Sequence, residues 1–485
     1  MDRKHKIIKG AISLFMGKAA TLVISSLQIL IIPRLLGPAS MGFFSYWLSV
    51  YFIIARILGM GGQQMMMKNV PELRLKKTSM ITTLVSKAGL IKLPVFLVVA
   101  GGGLFFWTQE YLYFLIIALG ALLFSLNLLG ESVLYSFNKM GTYAFITVLR
   151  AASRVVLVIA LFYVFADKGI VGGIFGAPLI TFLLSTILVL KLIPNEKASL
   201  EKPFRHYFTF GFWIYMSVVV QGLIRWSITI LAKSHGESMD VVGYFGVGTQ
   251  ICFTLVLLIY FINESILPSL IEFRIKDKNK FGRALQFAWK YTNVILCPLV
   301  IGGFILARPL IVYIIGKEYA AGTVIIKFFL PAVILLAWIK FHYQILFVFE
   351  KKISIFLTQI INVMFFVVSW FLLIRLDQIH WAPLSMAIGS FFAYLFILYH
   401  SHKIEKVSRY LPHLFKPLTA AALMGIIIHF FHVTSFVQLV GVVLLGAVSY
   451  GLFLVIVGGI EKDDRKLFEE FVSKMKKELL PGQKP

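Results

Sequence analysis

The sequence predicts an all-α polytopic membrane protein of about 14 transmembrane helices, built as two six-helix lobes in parallel pseudo-repeat plus two C-terminal helices. Three observations predict it. Apolar runs of span length recur from one end of the 485 residues to the other. Cations collect on alternate connections. Glycine and proline motifs recur at a fixed offset of 201 to 204 residues, Gly42 to Gly243 and Pro94 to Pro298.

Composition excludes the alternatives. Hydrophobic residues make up 59% of the chain and charged residues 14%, against roughly 45–50% and 25% in soluble domains. So few charges cannot cover the surfaces of the two to four soluble domains this length would otherwise imply. Two cysteines rule out a disulfide framework. A net charge of +25 would suggest nucleic acid in a soluble protein, but a positive-inside bias gives a membrane protein excess cations by default.

A span needs about 20 mostly apolar residues, and such runs lie at roughly 10–36, 40–66, 80–107, 110–137, 141–166, 169–193, 207–233, 240–268, 282–307, 320–347, 352–376, 380–399, 413–434 and 435–458. The turn from His432 to Ser435 is the tightest, and a missed span there would flip the C-terminus. The first apolar run continues through Leu36 without a cleavage site, so it is expected to be a retained span rather than a signal peptide.

With the N-terminus inside, cytoplasmic segments hold 31 Lys and Arg and outer segments hold 5. This asymmetry predicts a multi-pass protein of a bacterial cytoplasmic membrane with both termini cytoplasmic. The resulting organisation is an N-lobe at 1–193, a cytoplasmic linker at 194–206, a C-lobe at 207–399, two helices at 413–458 and a basic tail at 459–485. Leu467, Phe468, Phe471, Val472 and Met475 give that tail the spacing of an interfacial helix, although a solvated tail fits as well.

The repeat rests on two pairs of motifs. Gly37-Pro38-Ala39-Ser40-Met41-Gly42-Phe43-Phe44 after the first span matches Gly236 to Gly246 after the seventh in shape. Lys92-Leu93-Pro94 before Gly101-Gly102-Gly103 matches Leu296-Cys297-Pro298 before Gly302-Gly303. Six spans return the chain to its starting side, so the repeats are parallel. Pro94 and Pro298 are candidate hinges, with ordinary proline kinks as the plainer reading.

Eleven of the 47 cations fall inside spans. A charge at mid-bilayer costs at least about 2.5–3.5 kcal/mol. Snorkelling accounts for Arg34, Lys327 and Lys340, and for Lys18, Lys87 and Lys290 if those lie near helix ends. Arg56, Lys92, Arg150, Arg154 and Arg225 lie too deep for it. They are the candidate substrate-binding residues of a cationic cavity. Arg150 and Arg154 share a helix face at i,i+4, and two guanidiniums there suit a diphosphate. Glu131 and Glu264 are candidate gate residues, each able to pair with one of these cations or to sit solvated at headgroup level. No loop is large enough for a catalytic domain, and there is no P-loop. No catalytic residue and no metal ligand is expected; His400 and His402 lack acidic or Cys partners. Cys252 and Cys297 read as packing residues.

The chain resembles the polysaccharide-biosynthesis flippases (Wzx-like) of the multidrug/oligosaccharidyl-lipid/polysaccharide (MOP) exporter superfamily. The likeness lies in the basic N-terminus, in Pro33-Arg34-Leu35-Leu36-Gly37-Pro38 and in Met41-Gly42-Phe43-Phe44-Ser45-Tyr46. It implies a MATE-like fold, a V-shaped central cavity and alternating access. The implied cargo is an undecaprenyl-diphosphate-linked oligosaccharide moved from the inner to the outer leaflet, its diphosphate held by basic residues. The resemblance implies a transporter rather than an enzyme, with no cofactor and with coupling to H+, Na+ or the membrane potential. The implied partners are the polyprenyl-diphosphate-linked glycan and membrane lipids, with no nucleic acid, for a monomer working near glycosyltransferases or a polymerase. A peptidoglycan-precursor (lipid II) flippase is the nearest alternative, followed by a MATE-type drug antiporter. The first span has no carboxylate, unlike the drug-exporting branch, which weakens the antiporter reading. A membrane polysaccharide polymerase would need a large outer loop that this chain lacks.

Overall fold

The computed structural model describes residues 3–76, 78–106, 109–194, 198–200, 204, 212–276, 278–376, 379–406 and 410–459. The expected tail helix at 461–485 and most of the 194–206 linker lie outside the described residues. The helices are α1 (Arg3–Gly59), α2 (Gly62–Lys76), α3 (Ser79–Leu90), α4 (Lys92–Phe106), α5 (Tyr111–Ser136), α6 (Met140–Phe165), α7 (Asp167–Leu190) and α8 (Phe212–Ser234). After them come α9 (Met239–Lys276), α10 (Lys278–Ile305), α11 (Thr323–Val348), α12 (Lys352–Arg375), α13 (Leu384–His402), α14 (Phe415–His429) and α15 (Phe436–Ile456). No strand occurs among the described residues.

Among the described residues, thirteen helical stretches are long and apolar enough to cross a membrane. The first, Ala19–Gly59, is 41 residues long and is two spans joined by a reversal at Gly37. Gln28 and Phe52 line the same small cavity, whereas 24 residues of straight helix would hold them about 36 Å apart. Gly37 sits at φ 75°, ψ 172°, a backbone region open to glycine and costly for other residues. Pro38 follows as the first residue of the second arm, where its missing N–H leaves no bond unmade. Among the described residues this makes fourteen stretches of span length.

The third span differs from its expected form. Its hydrogen-bond ladder is interrupted at Ile91, between α3 and α4, although Ile91 keeps a helical φ of −61° and ψ of −24°; Pro94, three residues on, has no N–H to give the Leu90 carbonyl. Helix α10 runs through Pro298 as one element. The interruption therefore accompanies Pro94 and has no counterpart at Pro298. The turn before α15 is firmly specified. Ser435 Oγ accepts from the Gln438 N–H at 3.2 Å, and Gln438 Oε1 accepts from the Thr434 N–H at 2.8 Å, a variant of the capping box.

The packing repeats from lobe to lobe. Helix α6 packs on α7 and α5 on α7, as α12 packs on α13 and α11 on α13. Helix α1 packs on α5 and α6, as α9 packs on α11 and α8 on α12. Helices α14 and α15 pack against each other and against α10. One apolar core, with Phe44, Trp47, Phe245, Phe329 and Trp370, joins the lobes from the Gly37 end to mid-depth. At the other end each lobe has its own core, around Met65, Met66 and Leu129 in one and around Trp289 and Phe341 in the other.

Gly42 and Gly243 meet at the lobe junction. A methyl on Gly42 would strike the Met239 carbonyl, and one on Gly243 the Pro38 carbonyl. Ser45 and Gly246, again 201 apart, also touch. Residues that contact their own repeat equivalents lie near the two-fold axis that relates the lobes. Gly42→Ala and Gly243→Ala are expected to lower the thermal midpoint of the purified protein, since overpacking costs about 1–3 kcal/mol. Two wild-type midpoints would contradict this close approach.

Candidate functional site: a cationic chamber between the lobes

The second arm of α1 runs antiparallel to α8 across the lobe junction. Ser49 and Thr229 share a hydrogen bond at 2.7 Å. One turn on, Phe52 stacks on Trp226 with centroids 4.4 Å apart and planes 17° from parallel. Next, the stem of Arg56 lies against Gly222. At the end of the arm, the Met60 N–H donates to the Tyr215 hydroxyl at 2.6 Å.

Beside this seam is a chamber of about 160 Å³ lined by Gln28, Arg56, Arg154, Arg225, Gln250 and Thr254, together with the Phe52–Trp226 stack. Arg56 and Arg154 come from one lobe and Arg225 from the other. Arg154 donates to Gln28 Oε1 at 3.2 Å, and its guanidinium lies 5.7 Å from the Phe52 ring. Arg225 lies between Trp226 and Phe253, at 4.5 and 4.6 Å. The Nε atoms of Arg154 and Arg225 are buried without a hydrogen-bond partner. Aromatic faces stabilise these cations without consuming their charge, so their donors remain available to an anion. A second chamber of about 160 Å³ adjoins, sharing Phe52 and Arg56 and reaching Gln63, Gln64 and Tyr215. A water takes about 30 Å³, so each chamber has room for a few waters or a small anion.

The other two deep cations do not line this chamber. Arg150 forms an ion pair with Glu131, whose side chain is 1% exposed. Asn127 Nδ2 also donates to Glu131, at 3.0 Å, and to Thr181 Oγ1 at 3.2 Å. Among the described residues it is the only ion pair formed by the five deep cations. Lys92 is 1% exposed, and its Nζ donates to the carbonyls of Leu58 and Gly59 at 2.6 and 3.1 Å. These are terminal carbonyls of α1, left without intrahelical partners, where a cation also favours the helix dipole. Glu264 lies outside the residues whose side chains are described. Lys340, expected to snorkel, instead donates to Gln221 Oε1 at 3.1 Å, one turn before Arg225. Lys290 is buried as well.

An apolar cleft of about 510 Å³ lies behind the chamber wall, lined by α9, α10, α11, α14 and α15. Helix α9 separates the two spaces: Gln250 and Thr254 face the chamber while Ile251 and Leu255 face the cleft. Pro298, Gly302 and Gly303 line the cleft, which places the second glycine–proline motif beside it.

The structure shares its fold with known transporters. It is similar to the lipid II flippase MurJ in an inward closed conformation, at a TM-score of 0.72 and 16% identity, covering 93% of this chain and 98% of that one. It is also similar to an inward-facing MATE-family multidrug resistance transporter of the MOP superfamily, at 0.66 and 13%, covering 80% and 96%. A MOP superfamily transporter from Pyrococcus furiosus, described by the reversed polarity of its binding pocket, matches at 0.54 and 15%, covering 83% and 96%. At such identities the likeness is one of fold. No curated protein matches the chain in sequence. A family model described as "Polysaccharide biosynthesis protein" matches residues 7–274, more than half of the chain, and the chain therefore belongs to the polysaccharide-biosynthesis protein family.

Proposed function

We propose that the protein is a flippase that carries a polyprenyl-diphosphate-linked oligosaccharide, with undecaprenyl as the lipid, from the inner to the outer leaflet for surface-polysaccharide assembly. The observation that carries this reading is the convergence of Arg56, Arg154 and Arg225, from both lobes and, among the described residues, without a carboxylate partner, in one chamber. Guanidiniums bind phosphate oxygens in bidentate fashion. A diphosphate supplies enough oxygens for several of them. The family description supports a role in polysaccharide synthesis, and the apolar cleft one helix away suits a lipid chain.

In this mechanism the guanidiniums hold the diphosphate while the lobes exchange their openings. The glycan crosses in the widened space between them, and the polyprenyl chain stays against lipid or the cleft. No bond is made or broken, so the protein acts as a transporter and not an enzyme, most simply as a monomer in contact with membrane lipids. The driving force is the membrane potential or a coupled H+ or Na+.

MurJ's description as a lipid II flippase supports a second reading, transport of the peptidoglycan precursor, since diphosphate recognition would serve both. A cationic-drug antiporter fits poorly with three arginines that have no carboxylate partner among the described residues. Complementation separates these readings. In cells lacking their oligosaccharide-lipid flippase, expression of this protein is expected to restore surface glycan. Restoration only in cells depleted of their lipid II flippase would establish the second reading instead.

A further inference from the structure

The inner end of α1 is held from both lobes. Four terminal carbonyls of a helix lack intrahelical partners, and here three of them, at Arg56, Leu58 and Gly59, are met by side chains from elsewhere. Lys92, of the same lobe, takes Leu58 and Gly59. Tyr215, at the start of α8 in the other lobe, donates its hydroxyl to the Arg56 carbonyl and accepts from the Met60 N–H at 2.6 Å. The same ring is packed against Gly59 and Gly61, and a methyl on Gly59 would lie 2.8 Å from the Tyr215 oxygen. Two turns further along α8, Gly222 carries the stem of Arg56, with a Cβ there only 3.2 Å from Arg56 Cγ.

Arg56 thus belongs to one lobe by sequence and takes its position from the other. We propose that Tyr215 is a positioning residue: its hydroxyl latches the lobes together at the Gly59 end and, by gripping the Arg56 backbone, sets Arg56 in the chamber only when that end is closed. When the lobes part there, the Arg56 carbonyl and the Met60 N–H lose their partner together, and the Arg56 stem leaves its seat on Gly222. The chamber's charge geometry then depends on closure. The latch rests on geometry alone; its consequence for transport rests on the anion-binding reading above.

The test separates the two. Purified full-length protein in lipid nanodiscs, with Cys252→Ala and Cys297→Ala, would carry a single reporter, Gln64→Cys, which lines the chamber beside Tyr215. N-ethylmaleimide labelling is measured without substrate. Tyr215→Phe removes only the hydroxyl, and Gly59→Ala keeps the hydroxyl but crowds it. Each is expected to raise the labelling rate on the order of tenfold, equivalent to about 1.4 kcal/mol. A control reporter at the opposite end, His235→Cys, should label at an unchanged rate. An unchanged Gln64→Cys rate in either folded variant would overturn the latch. Because no substrate is present, that result would leave the flippase reading standing. With the latch confirmed, Tyr215→Phe should slow export, and normal export would remove its role in placing Arg56.

Discussion

Alanine at Arg154 or Arg225 is expected to abolish export while leaving the protein in the membrane at near wild-type abundance. Neither guanidinium has a carboxylate partner among the described residues. Truncation therefore strands no buried anion, and the loss falls on the substrate. Hydrogen bonds to charged groups contribute about 1.5–3 kcal/mol each, so one lost arginine should weaken diphosphate binding roughly 10- to 150-fold. Lysine should rescue in part, since it retains charge and loses the planar fork. Glutamine should behave like alanine. Surface-glycan assays with membrane blotting read both quantities, and full export by Arg225→Ala would remove it from the site.

Arg150→Ala is expected to fail differently, by losing the protein itself. Its removal leaves Glu131 charged and buried beside Asn127 and Thr181. Breaking a buried pair costs about 3–5 kcal/mol, enough to deplete the folded protein. The double variant Glu131→Gln, Arg150→Gln should recover abundance relative to Arg150→Ala, because no uncompensated charge remains. Normal abundance of Arg150→Ala with lost export would instead make Arg150 a substrate residue. Arg150 and Arg154, four residues apart on one helix, are thus expected to give opposite phenotypes.

That contrast marks where the sequence stops being readable. Apolar length and cation asymmetry announced the spans, and a repeated glycine offset of 201 announced the lobe relation that brings Gly42 against Gly243. Helical spacing showed that Arg150 and Arg154 share a face. It could not show that Glu131, on the preceding helix, already occupies one of them. Lys92 is similar: its partners are backbone carbonyls more than 30 residues away, and carbonyls leave no mark in a sequence. Lys340 read as a snorkelling lysine because its distance from a helix end says nothing of Gln221 on a neighbouring helix. Phe52 and Trp226 were hidden among the 15% aromatic residues, and Tyr215 carried no signal beyond an aromatic near the start of a span.

The role proposed for Arg56, Arg154 and Arg225 is to carry a lipid-linked diphosphate across the membrane. It is tested most directly in reconstituted vesicles holding a fluorescent polyprenyl-diphosphate sugar, with translocation followed by loss of access to an external quencher or enzyme. The wild-type chain should move the lipid, and the triple variant Arg56→Gln, Arg154→Gln, Arg225→Gln should not, with both proteins equally folded by thermal unfolding. Translocation by the triple variant at the wild-type rate would exclude these arginines from substrate transport.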